Sequence, residues 1–155
     1  IYENKYPVTI RNYGIRKDTG GPGKMRGGCG LYKEYTVNTD LNLSLWFERS
    51  KTTGWGLFNG KDGIGPNVNI KHSNGKEENR LKSNSYPIKK GTVVTTYTGG
   101  GGGFGDSYYR DPKNVLEDVE IGLVSIDKAE KDYKVIISRN MSIDYSKTND
   151  LRSKK

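Results

Sequence analysis

Short alternating segments fill the first two-thirds of the chain, and they predict β-strands. The clearest is Leu41–Phe47, in which every second residue is large and apolar, so that these side chains share one buried face. Clusters of Gly, Asn, Asp, Pro and Ser separate the segments and are typical of turns. Other segments rich in strand formers are Tyr6–Arg16, Leu31–Val37, Val68–Lys71 and Thr92–Thr98. This spacing predicts a mainly β fold, either an antiparallel sandwich or a barrel-like sheet.

The pattern changes to helical spacing in the last third of the chain. Asp111 and Pro112 are a favourable cap and first residue for one short helix, and Gly122 is a natural end for it. Ser125 is the expected N-cap of a second short helix. The β-branched stretch Val135–Ser138 then predicts a final strand.

Length and composition limit the size of the core. The chain has 155 residues, which suits one domain, and we expect this domain to cover residues 1–145. The polar residues 146–155 predict a solvated and mobile tail. Since 32% of the residues are hydrophobic, a low share, the core is expected to be thin or to need a partner. The chain starts at Ile1 rather than at a methionine, which suggests a processed or cut product.

The charge and the rare residue types narrow the function classes. A net charge of +8 leaves nucleic acid or an acidic protein open as partners, but the lysines are dispersed, so we expect a solubilising surface and no nucleic-acid partner. A single cysteine and a single histidine exclude an internal disulfide framework and an internal His/Cys metal cluster. No apolar run approaches the roughly 20 residues that a membrane span needs. We therefore expect a cytoplasmic chain that binds no membrane and no cofactor of its own.

Two glycine-rich segments are the candidate binding loops. The first, Asp18–Gly30 (DTGGPGKMRGGCG), can present consecutive N–H groups to an anion while its basic residues add charge. It is not a P-loop, because Met25 stands where such a loop needs a Ser or Thr for magnesium. The second, Gly99–Asp106 (GGGGGFGD), permits a ligand or a partner segment to pass close to the backbone. A structural turn is the alternative for both, with Phe104 in the core. The candidate contacts to an anion are Asp18, Thr19, Gly20, Gly21, Gly23, Lys24, Arg26, Gly27, Gly28, Gly101, Gly102, Gly103 and Asp106.

A third loop is aromatic rather than charged. Trp55–Gly60 (WGLFNG) predicts either an anchor buried in the core or a contact to another subunit. Cys29 lacks a nearby base in the sequence, because the single histidine, His72, is distant and expected to be exposed. These residues supply no catalytic constellation, so we assign no catalytic residues.

Three motifs occur in a fixed order along nearly the whole chain. The first runs from Glu3 to Gly30, with a Glu and Pro7 upstream of the segment Asp18–Gly30, and the second is Arg49 followed by Trp55–Gly60. The third, between Gly99 and Ile137, contains the glycine run, Gly-Asp, Arg-Asp-Pro and Asp-Val. In this combination they resemble the C-terminal region of the hydantoinase B/oxoprolinase family. The family comprises B-type subunits of ATP-dependent N-methylhydantoinases, 5-oxoprolinases and acetone or acetophenone carboxylases.

The resemblance implies an ATP-dependent reaction on an unreactive bond. In such enzymes, phosphorylation of a lactam or carbonyl oxygen creates a leaving group, after which water opens the amide or a carbon nucleophile captures activated bicarbonate. It also implies an A-type partner subunit with an actin-like, nucleotide-binding fold, and ATP and a divalent metal bound elsewhere in the full complex. By this resemblance, the chain supplies fold, glycine loops and a subunit interface, and is inactive alone. A small basic binding module and a non-catalytic assembly scaffold remain as alternatives.

Overall fold

Seven strands form the main body of residues 1–153, which is the part of the chain that the computed structural model describes. They are β1 (Val8–Ile15), β2 (Leu31–Val37), β3 (Leu41–Trp46), β4 (Asn67–Lys71), β5 (Glu77–Asn79), β6 (Lys82–Ile88) and β7 (Val93–Tyr97), preceded by a short helix α1 (Tyr2–Lys5). A five-stranded sheet has the order β1-β2-β7-β4-β5, and β3 pairs with β6 in a two-stranded sheet. All these pairings are antiparallel. The predicted mainly β, antiparallel fold is confirmed, and the described strands do not close into a barrel.

The two sheets pack against each other through one apolar cluster. In β3, Leu43 and Leu45 are buried while Asn42, Ser44 and Trp46 are exposed, as the alternation of the sequence predicts. The five-stranded sheet contributes the fully buried side chains at the centre of the same cluster, Val37, Val68, Ile70 and Val94. Because each buried side chain of this kind contributes roughly 1.5–3 kcal/mol, this cluster is the main source of stability for the sheets.

A second apolar cluster lies under the helices that follow. It joins α2 (Pro112–Glu120) and α3 (Ile126–Tyr133) through buried residues that include Val115, Val119, Ala129, Tyr133 and Val135. The caps are those expected, since the Asp111 side chain accepts a hydrogen bond from Lys113 N and the Ser125 side chain accepts one from Lys128 N. A 3₁₀ helix, Ser107–Tyr109, connects the glycine run to α2.

The C-terminal end of the chain differs from the sequence-based expectation in its secondary structure. The stretch from Val135 to Ser138 makes a single bridge, between Ile137 and Ile143, and not a full strand. Residues 146–153 belong to a helix, α4 (Tyr145–Ser153), which was not predicted, and most of their side chains are exposed. Thr148 fixes this helix, because it is fully buried and its Oγ1 accepts a hydrogen bond from Ile136 N at 3.0 Å. Residues 154 and 155 of the expected tail lie outside the described part.

Three loop segments, residues 18–30, 54–65 and 99–105, pack together through their backbones, and we call this unit the glycine lattice. The run 99–105 lies between the other two segments. Gly101 donates to Gly28 O at 2.9 Å and Gly103 donates to Lys61 O at 2.9 Å, while Met25 and Phe104 exchange both of their backbone hydrogen bonds. Such close approach requires glycine, because a Cβ on Gly102 would lie 1.9 Å from Trp55 O. The lattice connects the sheets to the helical region.

Candidate functional site

Most of the glycine residues proposed as an anion cradle are packed within the lattice itself. The N–H groups of Gly21, Gly27, Gly101 and Gly103 all donate to backbone carbonyls within the lattice, at 2.8–3.0 Å. Gly20 and Gly23 face backbone atoms, so that an added Cβ would collide with Gly27 O and with the backbone of Phe104, respectively. Gly28 is exposed, with nothing within 4 Å of an added Cβ. Of the two alternatives for the glycine segments, this geometry favours the structural one.

Asp18 and Thr19 hold the start of the lattice in place. Asp18 adopts φ +63°, donates its N–H to Leu123 O at 3.0 Å and accepts a hydrogen bond from Ser125 N on Oδ1 at 2.7 Å. It therefore ties the lattice to the N-terminus of α3, where a carboxylate also suits the helix dipole. Thr19 is buried, and its hydroxyl donates to Arg16 O and accepts from Gly30 N.

Arg26 belongs to a buried ion cluster with two residues from the helical region. Asp118 Oδ2 lies 3.2 Å from Arg26 Nε and 2.8 Å from Arg110 Nη2, and none of the three side chains is more than 13% exposed. Arg110 also donates to the backbone carbonyl of Lys24. Arg26 further donates to Gly27 O and approaches Cys29 Sγ at 3.6 Å. Arg26 is thus buried beside a carboxylate that it shares with Arg110, which leaves Lys24 as the exposed basic residue of the first segment.

A polar cleft separates the lattice from α3 and the 3₁₀ helix. It consists of two adjoining cavities of about 250 and 340 Å³, and Lys61 and Asp132 line both of them. Asp18 borders the first cavity, and Asp106 borders the second while its Oδ1 caps the 3₁₀ helix by accepting from Tyr108 N. Asp132 forms an ion pair with Lys128 at 3.0 Å. The cleft thus brings Asp18 and Asp106 to the same region, while it places Arg26 elsewhere.

Both signs of charge line the cleft: the carboxylates are Asp18, Asp62, Asp106 and Asp132, and the lysines, which the sequence did not single out, are Lys61, Lys128 and Lys131. Lys61 and Lys131 are both exposed and line the second cavity. Tyr133 borders the first cavity, and burial raises the pKa of its phenol far above the usual range, so it stays protonated. This arrangement can hold a small polar molecule, or an anionic group beside the exposed lysines, because Asp18, Asp106 and Asp132 are already engaged by Ser125 N, Tyr108 N and Lys128. Metal ligation is a poor fit, since residues 1–153 bring no three His, Cys, Asp or Glu side chains together.

The single histidine lies in a separate cluster on the sheet. His72 Nε2 lies 3.1 Å from Glu78 Oε1, which also accepts a hydrogen bond from the Tyr86 hydroxyl at 2.5 Å, and Arg80 pairs with Glu78 Oε2 at 3.3 Å. The Tyr86 hydrogen bond, followed by those from His72 and Arg80, lowers the pKa of Glu78 to about 2. His72 was expected to be exposed, and instead it is partly buried just after β4, where Glu78 of β5 contacts both His72 and Tyr86 of β6.

The aromatic loop is not a core anchor. Trp55 is 58% exposed and Phe58 is 75% exposed, and the Arg49 guanidinium stacks on the Trp55 ring at 4.8 Å from its centroid. Phe104 is 49% exposed, so the alternative that places this side chain in the core does not hold. None of the helices within residues 1–153 has the length and apolar character needed to cross a bilayer.

Comparison with known proteins identifies relatives along the whole chain. The family model described as hydantoinase B/oxoprolinase matches residues 1–107. An uncharacterized protein of Methanocaldococcus jannaschii is 38% identical over 98% of the chain, and the caprolactamase subunit beta of Pseudomonas jessenii is 31% identical over 96% of it. The chain spans about a quarter of their length, 27% and 26% respectively.

Solved structures agree in fold. The crystal structure of the ATP-dependent caprolactamase from Pseudomonas jessenii superposes with a TM-score of 0.76 and 30% identity, covering 97% of this chain and 27% of that one. A nucleotide-free acetone carboxylase superposes with a TM-score of 0.74 over 96% of this chain and 24% of that one. At 20% identity, the second similarity concerns the fold alone.

Proposed function

Because the chain belongs to the hydantoinase B/oxoprolinase family, we propose that it is the C-terminal part of a B-type subunit in an ATP-dependent enzyme that opens cyclic amides. The observation that supports this most is the similarity to the ATP-dependent caprolactamase, which extends over the sheets, the lattice and the helices alike. The relative's designation as a subunit supports the view that this protein also works within a complex.

In this proposal, the bound nucleotide and metal are held by other parts of the complex. Several lattice N–H groups that could cradle a phosphate, those of Gly21, Gly27, Gly101 and Gly103, are bonded to carbonyls, and the described residues do not fit a divalent metal. An A-type subunit with an actin-like, nucleotide-binding fold would therefore supply the ATP site. ATP supply favours a cytoplasmic location, and without the rest of the complex the chain is expected to be inactive.

The polar cleft is the part of this chain that we propose to contact the anionic intermediate. Lys61 is the principal candidate, since its side chain borders both cavities while its backbone is fixed by hydrogen bonds to Pro22 O and from Gly103 N. A charged hydrogen bond of this kind contributes about 1.5–3 kcal/mol to binding, or roughly 10–100-fold. Asp18 and Asp106 border the cleft as positioning residues, because their carboxylates accept hydrogen bonds from Ser125 N and Tyr108 N and so hold the starts of α3 and the 3₁₀ helix.

The decisive experiment is ATP-coupled turnover by the complete complex. Release of ADP and phosphate is measured with a hydantoin, caprolactam and 5-oxoproline, alongside chromatography of the ring-opened product. We expect one of the three to stimulate ATP hydrolysis in proportion to ring opening. The absence of stimulation by every cyclic amide would contradict the proposal, and stimulation that needs a ketone and bicarbonate would assign carboxylation instead.

The proposed role of Lys61 has its own test. Lys61→Met should lower kcat/KM for the stimulating amide by roughly 10–100-fold, because it removes the charge and leaves the backbone hydrogen bonds of the lattice intact. Lys76→Met, at an exposed position on the β4–β5 hairpin, is the matched control and should leave turnover unchanged. Equal turnover in the two variants would remove Lys61 from the proposed site.

A further inference from the structure

A compact apolar patch lies at one end of the glycine lattice. It consists of Met25, Leu57, Phe58 and Phe104, which we call the lattice patch, and these side chains are 63%, 50%, 75% and 49% exposed. Backbone bridges join Phe104 to Met25 and to Leu57, and the Phe58 and Phe104 ring centroids lie 5.0 Å apart. In the described chain, none of the four belongs to either buried apolar cluster. Contiguous exposed side chains of this size are typical of interaction sites.

Phe58 stands in a backbone conformation that disfavours it. Its φ is +49°, followed by +71° at Asn59, and Gly60 N closes the turn on Leu57 O at 2.9 Å. For a bulky residue, this left-handed conformation costs roughly 1–2 kcal/mol, whereas glycine or asparagine adopts it readily. The ring is three-quarters exposed, so contacts within the described chain do little to offset the cost. Strain of this kind is expected where a side chain acts outside its own fold.

The charges around the lattice patch indicate what it contacts. Lys24 is hydrogen-bonded through its N–H to Gly105 O, next to Phe104, and Lys61 and Lys131 line a cavity together with Asn59, next to Phe58. The two carboxylates of that cavity are only partly exposed and already engaged, Asp132 by Lys128 and Asp106 by Tyr108 N. All three lysines are exposed. Two copies of this patch facing each other would bring these lysines together, so like-charge repulsion disfavours a homodimer. An apolar pocket edged by carboxylates is complementary to such a surface.

We propose that the lattice patch docks into an apolar, acid-edged pocket of the partner subunit, with Phe58 as its central anchor. The inference rests on the proposed function, since it needs a complex of different subunits. An apolar centre with a polar rim is the usual arrangement of interfaces between separately folded subunits, and aromatic residues and methionine are enriched there. The lattice suits this task, because its backbone hydrogen bonds hold the patch rigidly without side chains in its interior.

The test uses the complete subunit and its purified partner subunit. Phe58→Gly removes the ring and relieves the positive φ, so the melting temperature of the lone subunit should stay the same or rise. The dissociation constant of the complex, measured by calorimetry, should increase about 30-fold, as for an aromatic hot spot. Lys24→Glu should slow association and reduce its salt dependence. Trp46→Ala, at an aromatic residue that is 79% exposed outside the patch, is the control and should leave the affinity unchanged.

Other results for Phe58→Gly would contradict the proposed docking and indicate another role for the lattice patch. An affinity within twofold of the wild type in Phe58→Gly overturns the proposal. A lowered melting temperature of the lone subunit with unchanged affinity assigns the patch to contacts within the same subunit, and loss of a homodimer assigns it to a second copy. An active complex that is insensitive to Phe58→Gly contradicts only the docking inference, whereas a complex without ATP-coupled ring opening contradicts the proposed function.

Discussion

Two neighbouring glycines in the lattice should respond in opposite ways to the same substitution. A Cβ on Gly102 would lie 1.9 Å from Trp55 O and 2.3 Å from Trp55 C, and both are backbone atoms that no side-chain rotation can move. A Cβ on Gly101 meets its nearest atom, Gly28 N, at 3.5 Å, which is an ordinary contact. Gly102→Ala and Gly101→Ala therefore differ in packing while they add the same methyl group to the same run.

The magnitudes follow from these distances. Gly102→Ala has to push the 54–65 segment away by roughly an ångström, which weakens the flanking hydrogen bonds from Leu57 N to Gly103 O and from Gly103 N to Lys61 O. Overpacking and the loss of these two bonds together cost about 3–5 kcal/mol of unfolding free energy. Gly101→Ala fits without strain and restricts the unfolded chain, so it should stabilise by about 0.4–1 kcal/mol.

Urea unfolding followed by circular dichroism measures both variants against the wild type. We expect the midpoint to fall strongly for Gly102→Ala and to stay or rise for Gly101→Ala, with similar slopes. Equal losses at both positions, or a loss below about 1 kcal/mol for Gly102→Ala, would refute the close-packed lattice.

Three further changes test the contacts around the lattice and the sheet. Asp118→Asn leaves two buried guanidinium groups without a carboxylate and should cost about 3–5 kcal/mol in urea unfolding, whereas Glu77→Gln in an exposed pair should cost under about 1 kcal/mol. Thr148→Val removes the acceptor for the Ile136 N–H and should cost about 1–3 kcal/mol, with α4 showing faster amide exchange. The pKa of Glu78 in the folded chain, about 2, lies below its ordinary value, so as the pH falls the unfolded chain is protonated at Glu78 before the folded chain is. Stability from Glu78 is therefore present above about pH 4.5 and lost toward pH 2, and Glu78→Gln should flatten this loss in acid unfolding curves.

The elements that the sequence predicted are those with local signals. The alternation of β3 and the caps at Asp111 and Ser125 depend on neighbours along the chain, so each was predictable without knowledge of the fold. Helix α4 has no such signal, because its buried residue is the polar Thr148 and the rest of its surface lacks an apolar stripe. Its partners, Ile136 N, Tyr133 O and Arg110 O, are set by tertiary packing.

The candidate site was predictable only in part, for the same reason. The glycine segments were identified, but glycine density did not reveal that several of their N–H groups donate to carbonyls of the same and neighbouring segments. Arg26 looked available to a ligand, since Asp118 is distant in sequence and comes beside it through the packing of α2 on the lattice. Lys61 resembled any other dispersed lysine, and its place between two cavities follows from the fold alone.

The lattice also explains how the polar cleft and the lattice patch are connected. Backbone fills its interior, so the side chains that leave it stand at its edges, with Lys61 toward the cleft and Phe58 and Phe104 in the patch. Between Phe58 and Lys61 lie two residues, and Gly103 bonds to both Leu57 and Lys61. A change that widens the lattice must therefore disturb the cleft and the patch together, whereas Phe58→Gly acts on the patch alone. Loss of turnover and loss of assembly should therefore be inseparable in Gly102→Ala, whereas Phe58→Gly should weaken assembly and leave the cleft intact.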